Sequence, residues 1–172
     1  SHGTEAGADV QSNQIAKEFA DKFGGTYTQF LAPAVFSKRT TLDYFLQEES
    51  VNFIFDEFKK LSTIFMRIGI PERTESTLIR AKYTSIAEMD EFVKMGAVGD
   101  VSLQFFDEYG DREKFKHFNE RVAAIPFEIA NTVPRRIGIA AGAKKAKAVK
   151  SAIAGKFINI LITNIDCGNA LL

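Results

Sequence analysis

Cysteine occurs once in these 172 residues and histidine twice. The lone Cys167 cannot close an intramolecular disulfide, and such sparing use suits a reducing cytoplasm. It stands beside Gly168 near the chain end with no histidine close in sequence, which reads as structural. His2 and His117 are too few for a Cys/His metal centre or a Ser-His-Asp triad, so no metal ligand, catalytic residue or cofactor is assigned. Long hydrophobic runs are missing too. Nothing reaches the roughly 18–20 apolar residues of a membrane span, and no signal peptide opens the chain. The reading is cytoplasmic, without a membrane partner. An excess of either charge is also lacking: 22 basic side chains balance 22 acidic ones. That balance argues against nucleic-acid binding by this chain alone, so a DNA-binding domain would have to lie elsewhere.

What is present is core material. Apolar residues make up 45% of the chain, with 16 phenylalanines, enough for one globular domain that buries roughly two-thirds of its unfolded surface. There is no internal repeat and no low-complexity tract.

The stretch "RRIGIAAGAKKAKAVKSAIAGKFINILIT", Arg135 to Thr163, is the most informative. Ile137–Ala140 and Ile158–Ile162 are short apolar runs that fit buried strands. Between them Ala146, Val149 and Ile153 make one helical face, and Gly155 stands where a C-terminal cap is expected. The unit is strand, glycine turn, helix, strand, a crossover that joins parallel strands. Lys144 and Lys145 then fall at the start of the helix, where free N–H groups and the macrodipole are already positive. A bound anion resolves that tension, because the small-residue turn at Gly142 lets the backbone approach a phosphate and a lysine adds a point charge. The alternative is a pair of solvated lysines costing about 0.3–1 kcal/mol each.

Elsewhere, Asp9 or Ser12 caps a helix through about Phe23, ended by Gly24-Gly25. Tyr27–Leu31 reads as a strand. Helices follow over Thr41–Glu48 and after a Ser50 cap, with Ile54, Phe58 and Leu61 as the apolar stripe. Thr63–Ile68 is a buried strand ending at Gly69. Ile70–Ser85 is a loop with a possible short strand at Leu78–Ala81. Glu88–Met95 is a short helix, Val101–Phe106 is left open between strand and helix, and "DEYGD" is a turn. Arg112–Pro134 is irregular, with a possible strand at Arg121–Ile125. The alternation gives an α/β fold, a mostly parallel sheet with helices on both faces. Ligands of such sheets bind at the C-terminal strand ends, where Gly69 and Gly142 sit. The chain opens on "SHGTEAGADVQSNQIA" with no strand ahead of its first helix, which leads one to expect residues before Ser1 or a shortened N-terminus.

Four segments in order, "DVQSNQIAKEFADKFGG", "MGAVGDVSLQFFDEYGD", "NERVAAIP" and "RRIGIAAGAKKAKAVKSAIAGKFINILITN", resemble the C-terminal effector-binding domain of the SorC family of bacterial transcriptional regulators, over nearly the whole chain. The resemblance implies a Rossmann-like three-layer sheet similar to glucosamine-6-phosphate deaminase and ribose-5-phosphate isomerase. It implies that residues 1–172 bind a phosphorylated sugar, that the helix-turn-helix domain is absent from this chain, and that the regulator is a homo-oligomer, dimer or tetramer, touching DNA only through that missing domain.

By the same resemblance, Gly3 and Thr4 correspond to a glycine-rich phosphate loop, Gln11 and Asn13 to a polar pair opening the first helix, Asp100, after Gly99, to the acidic residue on the sugar hydroxyls, and Lys145 to the phosphate-contacting lysine. Ala141 stands where most members carry a second glycine, and Asn164 where they carry aspartate. From chemistry alone an ionised carboxylate accepts from adjacent hydroxyls while a lysine and backbone N–H groups suit phosphate. Each residue also has a plain structural reading: a turn cap for Asp100, helix capping for Gln11 and Asn13, a surface ion pair for Arg121. A sugar-phosphate isomerase or deaminase with Asp100 as general base, and a Schiff base at Lys145, are the alternatives to a sensor.

Overall fold

A computed structural model describes residues 8–73 and 76–172. Helix α1, Ala8–Phe23, ends at Gly24, whose φ of +67° is the left-handed geometry a C-terminal cap favours. Asp9 and Ser12 lie inside this helix rather than capping it. The 25–31 segment is irregular and not a strand. At Phe30 a side chain takes the place of a neighbouring strand: Asn13 Nδ2 donates to the Phe30 carbonyl and Phe30 N–H donates to Asn13 Oδ1, both at 3.0 Å.

Helices α2, Arg39–Gln47, and α3, Glu49–Phe58, form a hairpin held by phenylalanines. Phe45 lies against Phe30 and Phe36, and Phe55 against Phe30 and Phe58, with centroids 5.0–6.3 Å apart. Ser50 falls within α3, whose N-cap is Glu48. Strand β1, Thr63–Gly69, follows as its apolar run requires.

Leu78–Ala81 is helical rather than extended: α4 spans Thr77–Arg80. Helix α5, Ile86–Lys94, starts with a reciprocal capping box between Ser85 and Glu88, a device that satisfies two otherwise orphaned N–H groups. The 101–106 stretch is neither one strand nor a helix. It is most of a tight hairpin, β2, Gly99–Val101, and β3, Gln104–Phe106. Ser102 and Leu103 turn it with φ of +51° and +65°.

Short helices α6, Lys116–Asn119, and α7, Phe127–Ala130, punctuate the irregular region. There the 121–125 strand reduces to one antiparallel bridge between Val35 and Val122. Strand β4, Arg135–Ala140, helix α8, Ala146–Ala154, strand β5, Ile160–Thr163, and helix α9, Ile165–Leu171, complete the chain. Gly155 is the C-cap of α8.

Among the described residues the strands form one five-stranded sheet in the order β3-β2-β1-β4-β5. The β1–β4 and β4–β5 ladders are parallel, and the hairpin β2–β3 joins antiparallel at β1. Four of the five strands therefore point the same way. Met66, Ile68, Val101, Ala140, Ala148, Val149, Ala152 and Cys167 form a core between the sheet and α8 and α9. Its fully buried valine and isoleucine side chains are each worth about 1.5–3 kcal/mol. Cys167 is buried and free, in keeping with its structural reading. Neighbours Phe105 and Phe106 point oppositely: Phe106 joins that core, while Phe105 packs with Phe92, Phe115 and Phe118 in a second cluster. On the sheet face turned from α8, Phe19 of α1 lies 5.4 Å from Phe65 of β1, giving the third layer. No described helix is long and apolar enough to cross a membrane.

Candidate functional site

Alternation along β1 decides which side chains meet. Met66 and Ile68 turn into the core under α8, so Phe65, Arg67 and Gly69 face the other way. Gly69 is directly opposite Asp100 in the β1–β2 ladder, and opposed residues share a face. A Cβ on Gly69 would run into the Asp100 carboxyl. The missing side chain is what makes room for it. Gly99, one residue earlier, plays the complementary part: its side faces α8, where a Cβ would come within 2.8 Å of Ala148.

Asp100 is buried at 7% exposure. Burial pushes its carboxyl pKa up, while Arg67, Lys145 and the Leu103 N–H pull it back. Among the described residues it has no ion pair within 4 Å. Lys145 sits in a 3-10 turn, Ala143–Lys145, just ahead of α8, and its Nζ donates to the Ile68 carbonyl at the end of β1, 2.8 Å away. Half-burial and the nearby Arg67 charge push its pKa down, and Asp100 opposes them. Lys144 is differently placed, 3.0 Å from Glu72.

The turn before these lysines is set by Gly142, with φ of +94°. Its N–H donates to Asn164 Oδ1 at 2.9 Å, and its carbonyl accepts from Lys145 N–H at 3.1 Å.

A cavity of about 380 Å³ opens beside Asp100. Phe30, Phe65 and Leu103 give it apolar walls, and Ser12, Asn13, Arg67, Thr77, Asp100 and Ser102 supply polar groups. Apolar walls with a few convergent polar groups are the usual build of a small-molecule site. Lys145, bonded to the strand end, acts on the same carboxylate only through its charge and does not line the cavity.

The other sequence-derived residues fall as follows. Gly3 and Thr4 lie outside the described residues, and of Gln11 only its place on α1 is described. Asn13 lines the cavity, but its amide is committed to Phe30. Arg121 is not in the cavity lining: it donates to the Ser37 carbonyl and its guanidinium lies 5.0 Å from the Phe118 ring. The structure thus brings together Gly69, Gly99, Asp100 and Lys145, with Gly142 holding the lysine's turn. Sequence reasoning missed Arg67 and Thr77. The signal for Arg67 was a single charge inside the apolar run Thr63–Ile68.

A family model described as a sugar-binding domain matches residues 2–172. The transcriptional regulator LsrR of Escherichia coli is 37% identical over 79 residues, covering 46% of this chain and 25% of that protein. A DeoR family transcriptional regulator from Listeria monocytogenes superposes with a TM-score of 0.86 at 21% identity, over 96% of this chain and 66% of that one. The full-length sorbitol operon regulator SorC from Klebsiella pneumoniae gives a TM-score of 0.80 at 23% identity, over 92% and 49%. At these identities the structural likenesses speak for the fold. The aligned part of this chain spans a quarter of the length of the curated relative.

Proposed function

The chain belongs to this family of sugar-binding domains, and from that premise we propose that it is the ligand-sensing part of a cytoplasmic transcriptional regulator of carbohydrate metabolism whose effector is a phosphorylated sugar. The relatives bearing the fold are named as transcriptional regulators. One observation carries the ligand class: a buried carboxylate, Asp100, opens to a cavity while two cations, Arg67 and Lys145, act on it from different sides. The carboxylate accepts from adjacent sugar hydroxyls, and Lys145 holds the phosphate. Ser12 and Ser102 add hydroxyls at the cavity wall.

Sensing then follows from linkage. The effector binds one conformation or assembly of the regulator better than another and shifts the population by that difference in affinity. DNA contact belongs to a helix-turn-helix domain outside this chain, and the working form is a homo-oligomer. A catalytic role fits the cavity less well: it is lined by no histidine or cysteine among the described residues, and His117 packs 5.8 Å from Phe92 in the second cluster.

The test is thermal stability against a panel of sugars, each with and without its phosphate, on the wild type and on Lys145→Ala. A ligand of the native state adds RT ln(1 + [L]/Kd), roughly 2.7 kcal/mol at a hundredfold excess over Kd. Stabilisation by phosphorylated sugars alone, lost in the variant, supports the reading. Stabilisation that ignores the phosphate, or none with any sugar, overturns it.

A further inference from the structure

Cations that line the cavities of this chain are mostly engaged. Beside the α2–α3 hairpin, Arg39 pairs with Asp43, Lys116 with Glu113 and Glu120, and Arg112 with Gln104 and Glu128. Arg67 differs. It lines the cavity next to Asp100 yet makes no ion pair among the described residues. Among the described residues its one hydrogen bond runs from Nη1 to Thr77 Oγ1, at 2.8 Å.

That bond fixes the guanidinium through a neutral partner, and its charge acts on the Asp100 carboxyl without an ion pair between them. Nε and Nη2 remain as donors, in the fork geometry that suits a planar or tetrahedral oxyanion. Arg67 also approaches from a different direction than Lys145. The arginine stands on the same sheet face as Asp100 and lines the cavity, while the lysine is bonded to the Ile68 carbonyl at the C-terminal end of β1 and does not line it. One oxyanion at the lysine would leave the arginine free.

We propose that Arg67 is a second anion receptor of this site, so that the effector carries two separate oxyanions: a phosphate held by Lys145, and a carboxylate or second phosphate held by Arg67, with the hydroxyls between them on Asp100. This rests on the reading of the cavity as a sugar-phosphate site. Phosphorylated sugar acids and sugar bisphosphates share the required chemistry.

The test is calorimetric titration of the chain with glucose 6-phosphate, 6-phosphogluconate and glucose 1,6-bisphosphate, and with the corresponding pentose set. Wild type is expected to favour one doubly anionic member by about tenfold or more over its monophosphate, the scale of one charge-assisted contact. Arg67→Met should shrink that preference to within about threefold, taking more affinity from the doubly anionic ligand than from the monophosphate, and Arg67→Lys should keep part of it. Lys145→Ala should weaken all members together. Because Arg67 is exposed on its strand, both Arg67 variants are expected to melt with the wild type. If wild type binds monophosphates and doubly anionic ligands equally, or Arg67→Met weakens all alike, the second receptor is overturned and the sugar-phosphate reading survives. If wild type binds none of them, both fall.

Discussion

Gly69 and Asp100 face each other across the β1–β2 ladder, and the Asp100 carboxyl occupies the space that a side chain on Gly69 would fill. A methyl group there must push the carboxylate away from the strand, and both are too enclosed to yield freely. Gly69→Ala is expected to cost about 1–3 kcal/mol, as overpacking does. That lowers the melting temperature by about 2–4 °C per kcal/mol in a domain of this size. Sugar-phosphate affinity should fall with it, since the hydroxyl acceptor has moved. A variant that melts and binds like the wild type would mean the glycine is not what places the carboxylate.

Burial raises the Asp100 carboxyl pKa above its usual value of 3.8, against the pull of Arg67, Lys145 and the Leu103 N–H. A carboxyl whose folded pKa is raised contributes stability below the unfolded pKa, and that contribution is lost as pH rises through the folded value. Asp100→Asn removes the titration. The variant's melting temperature relative to wild type should therefore climb as pH rises from below 3.8 to neutrality, while its affinity for the effector drops by about tenfold or more. Parallel pH profiles for the two proteins would show that the charge of Asp100 carries no cost to folding.

How much of this was legible beforehand depends on how local the cause is. The 135–163 unit was readable because two apolar runs flank a helical face and each pattern sits within its own segment; the structure shifts only the ends, to β4 at Arg135–Ala140 and β5 at Ile160–Thr163. Tyr27–Leu31 has the composition of a strand, but a strand needs a neighbour. Asn13, 17 residues away from Phe30, takes that neighbour's place at Phe30. The hairpin at Gly99–Phe106 hid its turn because Ser102 and Leu103 adopt positive φ without glycine or asparagine. Lys145 was found by its charge at an expected helix start, and Asp100 by the resemblance carried by the "GAVGD" segment. Arg67 was not: nothing in its own segment says that Asp100, 33 positions later in the chain, lies over the next alternate residue of the same sheet face.

Lys145 is held by its bond to the Ile68 carbonyl, half-buried beside like charges. Burial first, then Arg67, lowers its pKa below the usual 10.5; Lys144 adds to this, and Asp100 and Glu72 offset part of it. Only the ammonium form attracts an oxyanion. Affinity for a phosphorylated sugar should be full at low alkalinity and fall as pH rises through the lowered value, before an ordinary lysine would titrate. In Lys145→Arg, whose charge persists across this range, the fall should vanish. Titration calorimetry from pH 7 upward would show it, and a wild-type profile as flat as that of the arginine variant would remove Lys145 from the anion site.

Asn164 holds two things at once. Its Oδ1 accepts from the Gly142 N–H at 2.9 Å and from the Cys167 N–H at 3.2 Å, capping α9 while fixing the turn that leads to Lys145. Asn164→Ala removes a helix cap, worth about 0.5–2 kcal/mol, and releases Gly142, whose carbonyl accepts from Lys145 N–H. Stability and affinity for a phosphorylated sugar should both decline, the second by several-fold. Asn164→Asp keeps the accepting oxygen at both N–H groups, so it should hold the turn and melt close to the wild type. A loss of stability in Asn164→Ala with full affinity would show that the lysine finds its place without the turn. Equal losses in the alanine and aspartate variants would show that the amide's donor, which reaches Asp166 at 3.3 Å, matters more than its acceptor.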